Sequence, residues 1–399
     1  MKVSLRFLFR YNQLAGELLR SFSKEKPGQN IAFSPFSVIS MLSVLADATG
    51  GHTREEILNA VFDWVKLEGL PEHLRKTGKE LSKINSGNTF TDIKNSIRKP
   101  IPADNSRNPM PADSSRHLTT ANMIFVREDY QRDIRPEFSR YFHEQYDGMV
   151  IEAKDTNAAM KAIYTMLDNG RLEVPEKQTS SENILTLFSA AFFDAVWDTP
   201  YKDRDVKEDL FINSDGTKSW VNMMYSTESS YIANEQAAGF TRDFRQCEYS
   251  LMALLPKKKG PEALQNLMKK FDLQNFLKQR KDASVQTAIP EFTIEYEQNL
   301  QQACTDLGIQ EAFTQSADFS PMSKFTLPPR NLTHRAKIKV DRNGANAKAA
   351  TKAPLHMNHY PPKPNDIILN RPFVFAIYHR SLKIPVFIGV VNSIKNNNQ

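Results

Sequence analysis

From Gly344 to Met357 the side chains sort by parity. Ala345, Ala347, Ala349, Thr351, Ala353, Leu355 and Met357 are small or apolar and carry no charge. The residues between them, Gly344, Asn346, Lys348, Ala350, Lys352, Pro354 and His356, hold nearly all the polarity. Alternation with a period of two marks a strand with one buried face and one wet face. Yet alanine, lysine, asparagine and glycine are weak strand formers. Pro354 lacks a ladder donor, and Pro361, Pro362 and Pro364 follow as in an exposed loop. The segment therefore has the composition of a loop and the pattern of a strand to be buried later. An alanine-rich surface loop or short helix is the plainer alternative. Catalytic signatures are missing: there is no G-x-S-x-G, H-E-x-x-H, Walker loop or G-x-G-x-x-G. His356 and His359 stand three apart without a second ligand pair, so neither metal nor cofactor is expected. The chain is expected not to be an enzyme.

The elements that must position this segment are legible from periodicity. Leu5, Leu8, Tyr11, Ala15, Leu18 and Phe22 form one face of a first helix. Ile31 to Phe33 reads as a short strand. Ser34 is placed to cap a buried helix over Val38–Ala48, with Pro35 in its first turn. Thr53-Arg54-Glu55-Glu56 has the form of a capping box that starts the next helix. Leu118–Val126 and the long apolar run Ile184–Phe193 predict strands, with a helical stretch near Ala158–Leu167 between them. Phe373–Tyr378 and Ile384–Val391, joined by five residues, predict a buried hairpin. Helices come first and then mix with strands without strict alternation, which predicts an α+β fold.

The 399 residues can bury a large core. Fifty-two Lys and Arg against 46 Asp and Glu leave a net charge of +6. That mildly basic balance suits a solvated surface or a polyanion such as a glycosaminoglycan. Residues 84–116 are rich in Asn, Ser, Pro, Lys and Arg and predict a flexible insertion. Its cations (Lys94, Arg98, Lys99, Arg107 and Arg116) have only Phe90 for base stacking, a weak nucleic-acid pattern. Cys247 and Cys304 are expected to be free thiols. No apolar stretch reaches membrane-spanning length, and no signal-peptide core follows Met1. The expected location is the cytoplasm, or outside the cell by a route without a cleavable signal; a trimmed secreted chain would read the same. Asn331-Leu332-Thr333 is a sequon just before an expected strand, a poor place for a glycan.

Several blocks resemble the serpin family, in the family's order, from about residue 5 to residue 395. They are Asn30-Ile31-Ala32-Phe33-Ser34-Pro35-Phe36-Ser37, Thr53-Arg54-Glu55-Glu56-Ile57-Leu58, Ala121-Asn122-Met123-Ile124-Phe125-Val126, Val221-Asn222-Met223-Met224, Ile289-Pro290-Glu291-Phe292, Leu307-Gly308-Ile309, Ala317-Asp318-Phe319-Ser320 and Ile367 to Ile377. The resemblance implies a single domain over residues 1–399. It implies a large central mixed sheet A, sheets B and C, about eight to nine helices, and an exposed reactive-centre loop over 344–366. It implies a metastable monomer with a tendency to polymerise. Such a protein inhibits serine proteases as a suicide substrate. The cleaved loop inserts as a sheet strand, and strain released in the fold distorts the trapped protease. A charge on the inner parity of that loop would be buried unpaired. A non-inhibitory carrier, chaperone or storage member is the alternative.

The resemblance also assigns sites. Counting from the hinge glycine puts the reactive bond at Asn358–His359, with Met357 the alternative specificity residue. Elastase- or chymotrypsin-like targets follow, because no arginine lies nearby. The loop hinge comprises Arg342, Gly344, Ala345, Ala347 and Ala349, with Gly344 supplying free torsion. The shutter comprises Ser34, Ser37 and His334; Ala190 stands where the family usually has the asparagine that pairs with the histidine. The breach comprises Trp197, Glu291 and Arg342. The family usually has an acidic residue at 342 and Lys at 291, so both signs are reversed, and an Arg342–Glu291 ion pair is expected.

Overall fold

A computed structural model describes residues 4–62, 76–77, 117–153, 184–324, 328–329, 331–345 and 366–396. In chain order these form α1 (Leu5–Glu25), β1 (Ile31–Phe33), α2 (Pro35–Ala48), α3 (Gly51–Phe62), β2 (Leu118–Arg127), α4 (Pro136–Tyr146), β3 (Met149–Ala153), β4 (Leu185–Phe193) and β5 (Ala195–Val196). Next come β6 (Val206–Ile212), β7 (Lys218–Ala233), β8 (Ala237–Asp243), β9 (Tyr249–Pro256), α5 (Pro261–Lys269), α6 (Leu273–Lys278), β10 (Arg280–Pro290) and β11 (Phe292–Asn299). The chain ends in α7 (Gln301–Asp306), β12 (Asn331–Val340), β13 (Gly344–Ala345), β14 (Ile367–Ile368), β15 (Phe373–His379) and β16 (Ile384–Val391). The class is α+β, as expected. Seven α-helices lie among the described residues. The insertion over 84–116 and the stretch near Ala158–Leu167 lie outside them.

The chain divides into two interleaved units. The first contains residues 1–38, 193–298 and 335–399. Its nine-stranded sheet runs β1-β16-β15-β9-β8-β7-β10-β14, with β6 also paired to β7. The β10–β14 pairing is parallel, and the other pairings along this path, with β6–β7, are antiparallel. The predicted hairpin is β15–β16, with every residue buried on both strands. Continuous burial explains why these strands are unbroken apolar runs rather than alternating ones. By contrast β11 alternates buried and exposed residues over its whole length. Helix α1 packs on β16 and α5, and Tyr11 donates its hydroxyl to the Pro385 carbonyl at 2.9 Å. Phe22 meets Phe33 edge-on at 4.9 Å, and each buried ring contributes roughly 1.5–3 kcal/mol. Leu5, expected on the apolar face, is 83% exposed. As the first residue of α1 it projects beyond the packed stripe, which starts at Phe7 and Leu8.

The second unit contains residues 39–192 and 299–334. Here β3, β2, β4 and the start of β12 follow one another, with β2 and β3 parallel. Helix α2 carries the predicted cap: the Ser37 amide donates to Ser34 Oγ at 3.3 Å. The capping box at Thr53 is not formed. Helix α3 starts two residues earlier, so Thr53 lies inside its first turn. Thr53 Oγ1 instead donates to Glu311 Oε2 at 3.0 Å and accepts from the Asp318 amide at 3.1 Å. Glu56 accepts from the amides of Gln310 and Glu311. These side chains tie α3 to a distant turn rather than closing their own helix end.

Candidate functional site

Strand β12 ends in a short turn, Asp341 to Asn343, and the chain comes back as β13. Asp341 builds that turn. Its amide donates to the Gly344 carbonyl at 2.9 Å, and its Oδ1 accepts from the amides of Asn343 and Gly344. Lys339 holds the other carboxylate oxygen at 2.9 Å. An aspartate bonding two residues onward is the usual way a short polar side chain closes a turn. β13 then lies between two strands. Ala345 pairs with Val340 of β12 and with Ala195 of β5, antiparallel to each, and Gly344 pairs with Val196. Ala345 is fully buried. The first uncharged residue of the inner parity is thus already a strand residue. A Cβ on Gly344 would overlap the Ala195 carbonyl oxygen and come within 2.7 Å of Val196 Cα. Close approach to β5 is therefore a second reason for glycine, beyond the torsional freedom read from the sequence. Ala347, Ala349, Met357, Asn358 and His359 lie outside the described residues.

Beside this turn the expected ion pair is present. Arg342 Nε is 3.2 Å from Glu291 Oε1, and Arg342 Nη1 is 3.0 Å from Asp203 Oδ1. The Arg342 side chain is 12% exposed, Glu291 21% and Asp203 57%. Glu291 Oε2 also accepts from Asn222 Nδ2 at 2.8 Å, so both carboxylate oxygens have donors. Trp197 flanks the same turn. Its indole Nε1 donates to the Asp341 carbonyl at 2.9 Å, and its amide donates to the Asn343 carbonyl at 2.8 Å. The ring is fully buried and stacked on Phe244 at 4.5 Å. Arg242 sits over Tyr201 at 4.1 Å and over Trp197 at 5.2 Å, with Glu228 as its carboxylate partner. Burial pushes the Tyr201 hydroxyl up to about 12. Asp203 and Arg242 were not anticipated. Only the acidic Asp203-Arg204-Asp205 turn offered a signal for the first, and none was visible for the second.

The second unit holds His334, fully buried on β12. Burial lowers its pKa to about 3, so the ring is neutral. Ala190 leaves the family's usual asparagine missing, but Ser189 Oγ lies 2.9 Å from His334 Nδ1. The neighbouring position on β4 supplies a hydrogen-bonding side chain. Ser34 and Ser37 are fully buried in the first unit. Cys247 and Cys304 are buried free thiols, each favoured in its neutral form by burial.

Fold and turn define an α+β protein with mixed sheets, whose β12–β13 turn leads into the long connection to β14. The serpin (serine protease inhibitor) family model matches residues 10–394, and the chain belongs to that family. Serpin-Z2A of Triticum aestivum is 26% identical, over 94% of this chain and 93% of its own. The native state of tengpin, a thermophilic serpin, superposes with a TM-score of 0.80 at 24% identity, covering 99% of this chain and 96% of that one. Human thyroxine-binding globulin in complex with thyroxine gives 0.76 at 20% identity, covering 97% and 98%. No helix among the described residues is long and apolar enough to cross a membrane.

Proposed function

We propose that this serpin inhibits a serine protease as a suicide substrate. The observation that carries the reading is β13, lying antiparallel between β12 and β5 with Ala345 fully buried. On insertion, continuing that register down β12 would set Ala347 beside Ile338 and Ala349 beside Ala336, both buried positions. The uncharged parity would then face inward and Lys348 outward. Insertion would require β12 to part from β4, its neighbour in the second unit.

The chemistry belongs to the protease. Its serine oxygen attacks the Asn358 carbonyl carbon, the peptide bond to His359 breaks, and the amine of His359 leaves with a proton. An ester joins Asn358 to the protease, and loop insertion then moves that ester away before water reaches it. Met357, Leu355 and Tyr360 favour elastase- or chymotrypsin-like targets. The test is incubation with a panel of such proteases followed by a denaturing gel. A band at the summed mass that survives denaturation supports the reading. Complete cleavage without that band would move the chain to the non-inhibitory alternative, a carrier, chaperone or storage member; thyroxine-binding globulin, by name, binds thyroxine.

A further inference from the structure

The first unit contains a pocket of about 750 Å³ with no part in the loop mechanism. It lies where the end of α1, the β6–β7 turn and the start of α5 meet the residues just before β15 and just after β16. That volume falls within the roughly 300–1,000 Å³ of small-molecule sites. Its walls are largely apolar, with Ile31, Pro256, Leu264 and Met268 inside and Ile212 at 39% exposure.

The charge of the lining is one-sided. Lys26, Lys258, Lys259 and Arg371 face one carboxylate, Asp215. That carboxylate is engaged in its own turn, where it accepts from the Thr217 amide at 2.9 Å and the Thr217 hydroxyl at 2.6 Å. Lys26 is also engaged, donating to the Glu297 carbonyl at 2.6 Å and lying over the Tyr296 ring. Lys258, Lys259 and Arg371 have no carboxylate within ion-pair distance among the described residues. Arg371 is half-buried, and only its Nη2 finds an acceptor there, the Pro256 carbonyl at 2.6 Å. A partly desolvated guanidinium with donors to spare, above apolar walls, is complementary to one anionic group on an apolar body.

We propose that this pocket binds a small amphipathic organic anion, with its carboxylate or sulfonate at Arg371, Lys258 and Lys259 and its apolar body against Leu264, Met268 and Ile31. A sulfated polysaccharide could use the lysines but would leave the concave apolar walls unused. The proposal does not depend on whether the loop inhibits a protease.

The test uses the full chain in titration calorimetry with decanoate, and with 1-decanol as the uncharged counterpart. Decanoate should bind saturably, one to one, and about tenfold or more tighter than decanol. The exposed double reversal Lys258→Glu/Lys259→Glu should weaken decanoate about tenfold and leave decanol unchanged. Arg371→Gln should do the same, and the lysine variant keeps the test decisive if Arg371→Gln misfolds. Equal binding of decanoate by the double variant, no saturable binding of decanoate, or binding of dextran sulfate without decanoate would each overturn the proposal.

Discussion

Arg342 and Glu291 are 51 positions apart in sequence and face each other across 3.2 Å beside the turn where the loop departs. Each reverses the sign the family usually shows at its position, and the attraction survives because both are reversed. Exposed pairs contribute about 0–1 kcal/mol. This one is mostly buried, so Arg342→Glu should cost roughly 3 kcal/mol and speed polymerisation or conversion to an inserted, inactive form. Adding Glu291→Lys should recover much of that loss. Recovery should be incomplete, because Asp203 would still face the new glutamate. A double-mutant cycle in denaturant unfolding checks the coupling; a value near zero would remove the pair from the account.

Parity along the loop is testable residue by residue. Ala347→Arg should convert inhibitor into substrate, because insertion would bury an unpaired guanidinium at several kcal/mol. Ala350→Arg, on the outer parity, should leave inhibition nearly intact. The ratio of covalent complex to cleaved chain on a gel reads the difference. Equal ratios for the two variants would contradict the register.

Neutral His334 makes stability depend on acid. Its folded pKa is lowered to about 3, against about 6.5 in an unfolded chain. Between those values the unfolded state binds the proton and the folded state does not. Stability is therefore complete above about pH 6.5 and falls as pH drops toward 3, by about 2 kcal/mol at pH 5. Denaturant unfolding at pH 7 and pH 5, compared between the wild type and His334→Gln, isolates this share. The variant should show a shallower pH dependence.

What the sequence showed and what it hid have physical reasons. The β15–β16 hairpin and the cap on α2 follow from local rules, apolar runs joined by a short connection and a serine before a helix. The Arg342–Glu291 pair was legible because two departures from a family pattern agreed in sign. The second carboxylate was hidden because Asp203 comes from a turn 139 positions away. Ser189 was hidden inside a fully buried, mostly apolar strand, where a buried hydroxyl does not disturb the hydrophobic pattern. Thr53 misled because a capping motif is indifferent to register. Once α3 starts at Gly51, the same side chains are free for Glu311, Asp318 and the amides beyond them.

Cleavage should fall at Asn358–His359. Mass spectrometry of the C-terminal peptide released by a target protease should give His359 as its new first residue, or Asn358 if Met357 is the specificity residue. A new terminus at Ala353 would show that Lys352 is read instead, and would move the targets to trypsin-like proteases.

The central claim is that the loop has a lower-energy place inside the sheet than outside it. The most direct measurement is thermal unfolding of the intact chain beside a chain nicked once in the loop by a non-target protease. If the freed segment continues the β13 register as a paired strand, the nicked chain should melt higher by on the order of 10 °C or more. Superimposable melting curves would contradict insertion and leave the segment as the alanine-rich surface loop its composition also allows.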